Sequence, residues 1–205
     1  MRGVPYREPV RRISVVGNSG SGKTTVAAAI AAALRVPHLE LDAVFHQPGW
    51  KPLEAGLFRA KVADFVAADG WVIDGNYSAV QDLVWGRADT VVWIDPPRRV
   101  VMRQLIRRTL WRMITRTELW NGNTESWRYL FCLDPDRSIV VWAWTSHRKY
   151  AQRYAEASRD PANQHLTFLR IANRAAASRL VASLAAQPAA ATGTTGGTTG
   201  GAAGE

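Results

Sequence analysis

Short apolar runs rich in β-branched and aromatic residues alternate along this chain with longer stretches of helical period. The runs Val10–Val16, His38–Asp42, Trp71–Asp74, Thr90–Asp95 and Leu166–Ile171 predict strands: each is too short for a buried helix. Between them, Lys23–Leu34, Glu54–Ala68, Arg98–Thr115, Asp134–Ser158 and Asn173–Leu184 predict helices. The first is rich in alanine, the best helix former. The fourth starts on Asp134 as cap with Pro135 in its first turn. Pro37, Gly70 and Pro96-Pro97 punctuate the pattern. Five strands alternating with helices give an α/β fold, a parallel sheet covered on both faces. Such sheets place ligands beyond the carboxyl ends of their strands.

The 205 residues suit one domain, and 47% hydrophobic residues can build its core. The domain is expected over 10–186, after an N-terminal extension at 1–9. The stretch 187–205 is nearly all Ala, Thr and Gly, cannot bury enough to order itself, and is expected to be a disordered tail. No window offers the roughly 18 apolar residues of a membrane span, so no membrane partner and a cytoplasmic location are expected. A single cysteine, Cys132, excludes an internal disulfide.

The segment after the first strand, Gly17-Asn18-Ser19-Gly20-Ser21-Gly22-Lys23-Thr24, fits G-x-x-x-x-G-K-[ST] without a departure, and a helix follows it. Its glycines let successive N–H groups curl toward phosphate oxygens, and the helix N-terminus adds positive potential. Lys23 brings a mobile charge to the β- and γ-phosphates. Thr24 offers Mg²⁺ a hard oxygen. Residues 17–24, with Thr25 beside them, are thus expected to bind ATP with Mg²⁺.

Asp42 and Asp74 both end predicted strands on the same edge. A carboxylate there can order magnesium waters or take the proton of an attacking hydroxyl; it can also simply cap a turn. Net charge is +9, and only four of the 26 basic residues are lysine. Seven arginines fall between Arg98 and Thr117 with no acid among them. Arg99, Arg103 and Arg107 recur every four residues on one helix face, and Arg137, Arg148 and Arg153 follow on the next long helix. They are either a solvated basic face or an answer to the charge of phosphoryl transfer. Trp120, Trp127, Tyr129 and Phe131 surround Asn121-Gly122-Asn123. They read as a lid or base-stacking surface, or as a satellite core under a loop. His46, Trp50 and Lys51 occupy a Pro-punctuated loop where an acceptor would enter.

Gly17–Thr24, Leu41-Asp42-Ala43 leading to Gly49-Trp50, Trp71–Tyr77 and Arg98–Arg108 together resemble a bacterial group of P-loop kinases related to adenylate kinase, often labelled DNA topology modulation proteins. The resemblance covers roughly Val10 to Arg170. It implies a three-layer P-loop fold, strand order 2-3-1-4-5, with a small helical lid about 108–147. It implies that Asp74 orders metal waters and that Arg103 and Arg107 contact phosphates from the lid, with Arg148 on its far side. In this sequence Asp74-Gly75 continues with Asn76-Tyr77-Ser78 where adenylate kinase has Phe-Pro-Arg, and the stretch from Asp42 to Trp71 is nearer the size seen in shikimate or gluconate kinases.

The expected function is Mg²⁺-dependent transfer of the ATP γ-phosphoryl group to a small-molecule or nucleotide acceptor. Lys23, Asp42, Arg103, Arg107 and Arg148 are its expected catalytic residues, and Thr24 and Asp74 its metal ligands. The alternative is a nucleic-acid-binding regulator switched by ATP, although no nucleic-acid-binding signature is present.

Overall fold

The structure, a computed structural model, describes residues 10–115, 117–123 and 139–187, the side chains of 139–143 excepted. Five strands form one parallel sheet: β1 (Arg12–Gly17), β2 (His38–Glu40), β3 (Trp71–Asp74), β4 (Thr90–Ile94) and β5 (Thr167–Ile171). Their spatial order is 2-3-1-4-5, as the resemblance implies. The seven helices among the described residues are α1 (Lys23–Leu34), α2 (Leu41–Phe45), α3 (Ala55–Val66), α4 (Gln81–Trp85), α5 (Arg98–Thr115), α6 (Ile139–Ala157) and α7 (Arg174–Ala185).

Two-residue alternation along the strands splits the core into two layers. Ile13, Val15, Val72, Val92 and Ile94 face α1 and α7. Val16, Trp71, Ile73, Val91 and Trp93 face the other way, packed with Phe58, Val62 and Val66 of α3, Val84 of α4 and Tyr154 of α6. Both faces are dry, which explains strands that read as continuous apolar runs.

The predicted strand His38–Asp42 is corrected. Pairing with β3 stops at Glu40 opposite Asp74, and the chain turns at once into α2. Asp42 therefore stands in the first turn of a short helix, not at a strand end. Glu54 is likewise the cap of α3 rather than its first residue: its carboxylate accepts from the N–H groups of Gly56 and Leu57 at 2.9 and 2.8 Å. The Pro-punctuated loop contains a small antiparallel pair, His46–Gln47 with Lys51–Pro52. Helix α5 is unbroken to Thr115, so the lid region expected at 108–147 begins within it. Asp134, Arg137, Cys132, the extension at 1–9 and the tail from 188 onward lie outside the described residues. No helix among the described residues is long and apolar enough to cross a membrane.

Candidate active site

Strand β1 delivers the Gly-rich loop to the carboxyl edge of the sheet, between β3 and β4. The Ser21 N–H closes the loop on the Asn18 carbonyl at 3.1 Å. Gly20 has φ 78°, and a Cβ there would meet the Leu105 Cβ at 2.8 Å. Only glycine allows α5 to cross this closely over the loop. Lys23 folds back, donating from Nζ to the Asn18 carbonyl at 3.2 Å. Burial lowers its pKa from the usual 10.5; the Asp42 and Asp74 carboxylates oppose that shift, and Arg108 adds to it.

Asn76 braces the start of the loop. Its Nδ2 donates to the Gly17 carbonyl at 2.6 Å, and its Oδ1 accepts from the Gly17 N–H at 3.1 Å. The same Oδ1 accepts from the Tyr154 hydroxyl of α6 at 2.9 Å. A second tie from α6 runs from buried Ser146 to the Asn18 side chain, 3.1 Å. The Asn76 amide thus continues the pairing between β1 and β3 where their backbones part.

At the head of α1, Thr24 Oγ1 donates to Asp74 Oδ2 at 2.6 Å. The other Asp74 oxygen lies 3.1 Å from His38 Nε2. Asp74 is only 4% exposed, so these partners fix its rotamer. A hydroxyl at the head of α1 and a carboxylate at the end of β3 fit Mg²⁺, which one or two such groups plus phosphate oxygens ordinarily hold. The described residues contain no cluster of three side chains able to bind a metal by themselves.

Across the cleft stands Asp42, whose Oδ1 accepts from the Tyr77 hydroxyl at 2.7 Å. That hydroxyl lies 3.4 Å from His46 Nε2. Burial and the neighbouring Asp42 carboxylate push the Tyr77 phenol upward, so it remains a proton donor to Asp42. Gly75, at φ 144°, lets Leu41 at the start of α2 come close: an added Cβ would meet the Leu41 Cβ at 2.8 Å.

The turn Trp120–Asn123 closes this side. Asn121 donates to the His46 carbonyl at 2.5 Å, and Asn123 to the Gln47 carbonyl at 3.0 Å. Asn123 also accepts from the Trp50 N–H at 2.9 Å. The Trp120 ring stacks on His46 with centroids 6.0 Å apart, and its Nε1 donates to Glu40 Oε2 at 2.9 Å. Of the two readings for this aromatic segment, its first part behaves as a wall docked on the loop after β2.

Loop, wall and α5 enclose a cleft of ≈ 3800 Å³. That exceeds the roughly 300–1,000 Å³ of a usual single-ligand pocket. Ser19–Thr25 and Asp42 line it, while Gly17 and Asn18 stand behind the loop and Asp74 reaches it through Thr24. From α5, Arg99, Arg103, Arg107, Arg108 and Arg112 also line the cleft. Arg148 is exposed on α6 and is not among the lining residues. Sequence reasoning gave no role to Asn76, Tyr77 or Glu40, although each stands within three residues of a strand end on the ligand-binding edge. His38, Ser146 and Tyr154 carried no signal at all.

No family model and no curated protein matches this chain. Solved structures do. Shikimate kinase from Bacteroides thetaiotaomicron is similar at a TM-score of 0.50 and 19% identity, over 85% of this chain and 96% of that one. Shikimate kinase from Acinetobacter baumannii, solved with shikimate, is similar at a TM-score of 0.51 and 15% identity, over 86% and 92%. A gluconokinase from Sinorhizobium meliloti aligns at a TM-score of 0.44 and 20% identity, over 87% and 97%. The fold is the P-loop kinase fold. At these identities the likeness concerns architecture, and the chemistry rests on this chain's own residues.

Proposed function

We propose that the protein is a phosphotransferase that moves the γ-phosphoryl group of ATP to a hydroxyl of a small acceptor. One observation carries this reading. A single cleft holds an intact phosphate loop with its Thr24–Asp74 pair and, facing it, Asp42 held by a phenol. The backbone N–H groups of the loop and the Lys23 ammonium bind the donor phosphates. Thr24 and Asp74 would hold Mg²⁺, which withdraws charge from phosphate oxygens. Asp42 orients the acceptor hydroxyl and takes its proton. The acceptor oxygen bonds to the γ-phosphorus as the bond to the β–γ bridging oxygen breaks, and ADP leaves with those electrons. Arg103 and Arg107 stand where α5 can answer charge spread over the transferring group. Arg148, outside the cleft lining, is given no part. The resemblance to the topology-modulation group of P-loop kinases, carried by Gly17–Thr24, Leu41–Ala43 with Gly49-Trp50, Trp71–Tyr77 and Arg98–Arg108, agrees with the same phosphotransfer reading.

The test is ADP release from Mg·ATP with nucleoside monophosphates, nucleosides, sugars, amino sugars, small amino alcohols, sugar acids and short DNA, with Lys23→Ala as control. One small acceptor raising the rate many-fold, and Lys23→Ala abolishing the rise, is expected. Bound ATP with no acceptor of any class raising ADP release would overturn the reading.

A further inference from the structure

Glu40 ends β2 and stands at the cap position of α2, yet its side chain makes no capping hydrogen bond. It turns to the cleft instead and accepts from the Trp120 indole at 2.9 Å. That donor is neutral, and among the described residues Glu40 has no ion-pair partner. Asp42, two residues on, also receives a neutral donor, the Tyr77 hydroxyl. Aromatic rings cluster beside the two carboxylates, on His46: Trp120 stacks on that imidazole, and Trp50 meets it edge-on at 5.3 Å.

The charge of the lining is unevenly divided. Every arginine among the described lining residues comes from α5 or the start of α7, and the lysine from the phosphate loop. The segments forming the Asp42 side, residues 40–50, 75–79 and 117–120, contribute carboxylates, an imidazole and aromatic rings to the lining, but no lysine or arginine. An acceptor bearing a carboxylate or phosphate would meet Glu40 with no lysine or arginine from those described segments to pair with; Lys23, which Asp42 attracts, belongs to the phosphate loop. An acceptor bearing an ammonium group would meet a carboxylate whose partner is the neutral N–H edge of an indole, which leaves a charge-assisted contact open to it.

We infer that the acceptor is an amino alcohol: Glu40, oriented by the Trp120 indole, holds its protonated amine while Asp42 takes its hydroxyl. Glu40 is then the specificity-determining residue. This rests on the phosphotransferase reading for the second half of that assignment only, because amine recognition can be measured without turnover.

The experiment is calorimetric titration of the full chain, loaded with Mg²⁺ and a non-hydrolysable ATP analogue, with two matched series. These are glucosamine, glucose and gluconate, and ethanolamine, ethylene glycol and glycolate. In at least one series the amine is expected to bind about ten-fold tighter than its neutral parent, as one charge-assisted contact supplies, with the acid weaker still. Glu40→Gln should bring the amine to the level of the parent. Trp120→Phe, which keeps a ring but removes the indole donor, should weaken the preference and tests the site if Glu40→Gln misfolds; nucleotide binding reports the folding of each variant. An acid that binds as well as its amine, a preference that survives Glu40→Gln, or the absence of any preference overturns the inference. Amine preference without ADP release would sink the phosphotransferase reading and leave amine recognition standing.

Discussion

The two halves of the cleft are built in opposite ways. The phosphate half is mostly backbone: a Gly-rich loop between one strand and one helix, with Lys23 and Thr24 the next two residues in the chain. The facing half is mostly side chain. Glu40 and Asp42, His46 and Trp50, Tyr77 and Trp120 come from three segments spread over eighty residues. Local conformation makes the first kind of site, and a motif suffices to declare it. Tertiary packing makes the second, and its specificity can change without disturbing the first.

The sharpest way to break this comparison is Lys23→Met. Phosphoryl transfer should fall about a thousand-fold or more, because a charge aimed at the transferring group is lost. Stability should move the other way. The folded chain holds Lys23 below its usual pKa of 10.5, so the unfolded chain binds the proton more tightly and folding carries a penalty at neutral pH. Removing the amine relieves it. The melting temperature at pH 7 should rise, and the gain should shrink as pH climbs toward 10.5. A lower melting temperature at pH 7 would show that the Asp42 and Asp74 attraction outweighs burial.

Next in size is the facing half. Asp42→Asn should cost about 10²–10⁴ in kcat, the usual worth of a positioned base, with Mg·ATP affinity little changed. Tyr77→Phe removes the donor that orients Asp42 and should cost less, about ten-fold, mainly in kcat. Equal loss of ATP affinity in Asp42→Asn would mean that the halves are not separable.

Asn76→Ala tests the brace between them. It strips two hydrogen bonds from the Gly17 peptide and leaves the Tyr154 hydroxyl without its acceptor, at a cost of about 1–3 kcal/mol of stability by denaturant titration. Nucleotide affinity should fall while the acceptor KM holds. Asn123→Ala should do the reverse. It unties the Trp120 turn from the loop after β2, so the acceptor KM rises several-fold and nucleotide affinity stays.

The smallest effect belongs to the exposed pair of Arg59 with Asp82, 2.7 Å apart. Arg59 holds the Asp82 carboxylate down at about 2. Its contribution is therefore present above the usual 3.8 and is lost as pH falls through about 2. Asp82→Asn should lower the melting temperature slightly at pH 7, converge with the parent chain in acid, and leave activity untouched.

Much of the architecture was legible because parallel strands buried on both faces must be apolar throughout. The inner strands β1, β3 and β4 were readable for that reason. The edge strands β2 and β5 are only partly buried and mix polar with apolar residues, and errors of a residue or two fell at the strand ends. The error at Asp42 was instructive. The polar–apolar alternation of His38–Asp42 does not reveal that β2 leaves the sheet after Glu40, where its partner β3 also ends, at Asp74. In the site, Lys23, Thr24 and Asp74 were legible from spacing and strand position. The arginine row on α5 was legible as a face, but its turn toward the cleft was not; the packing of Leu105 on Gly20 decides that.

By itself the sequence determined the fold class and the phosphate loop, since both follow from local preferences: apolar runs that must be buried and glycines that permit one loop shape. Only the tertiary structure decided that Asn76 clamps Gly17, that Tyr77 holds Asp42, and that Glu40 abandons its helix cap for Trp120. Those contacts join residues 35 to 80 positions apart. A hydrogen bond acts over about three ångströms of space and leaves no trace in the spacing of its partners along the chain.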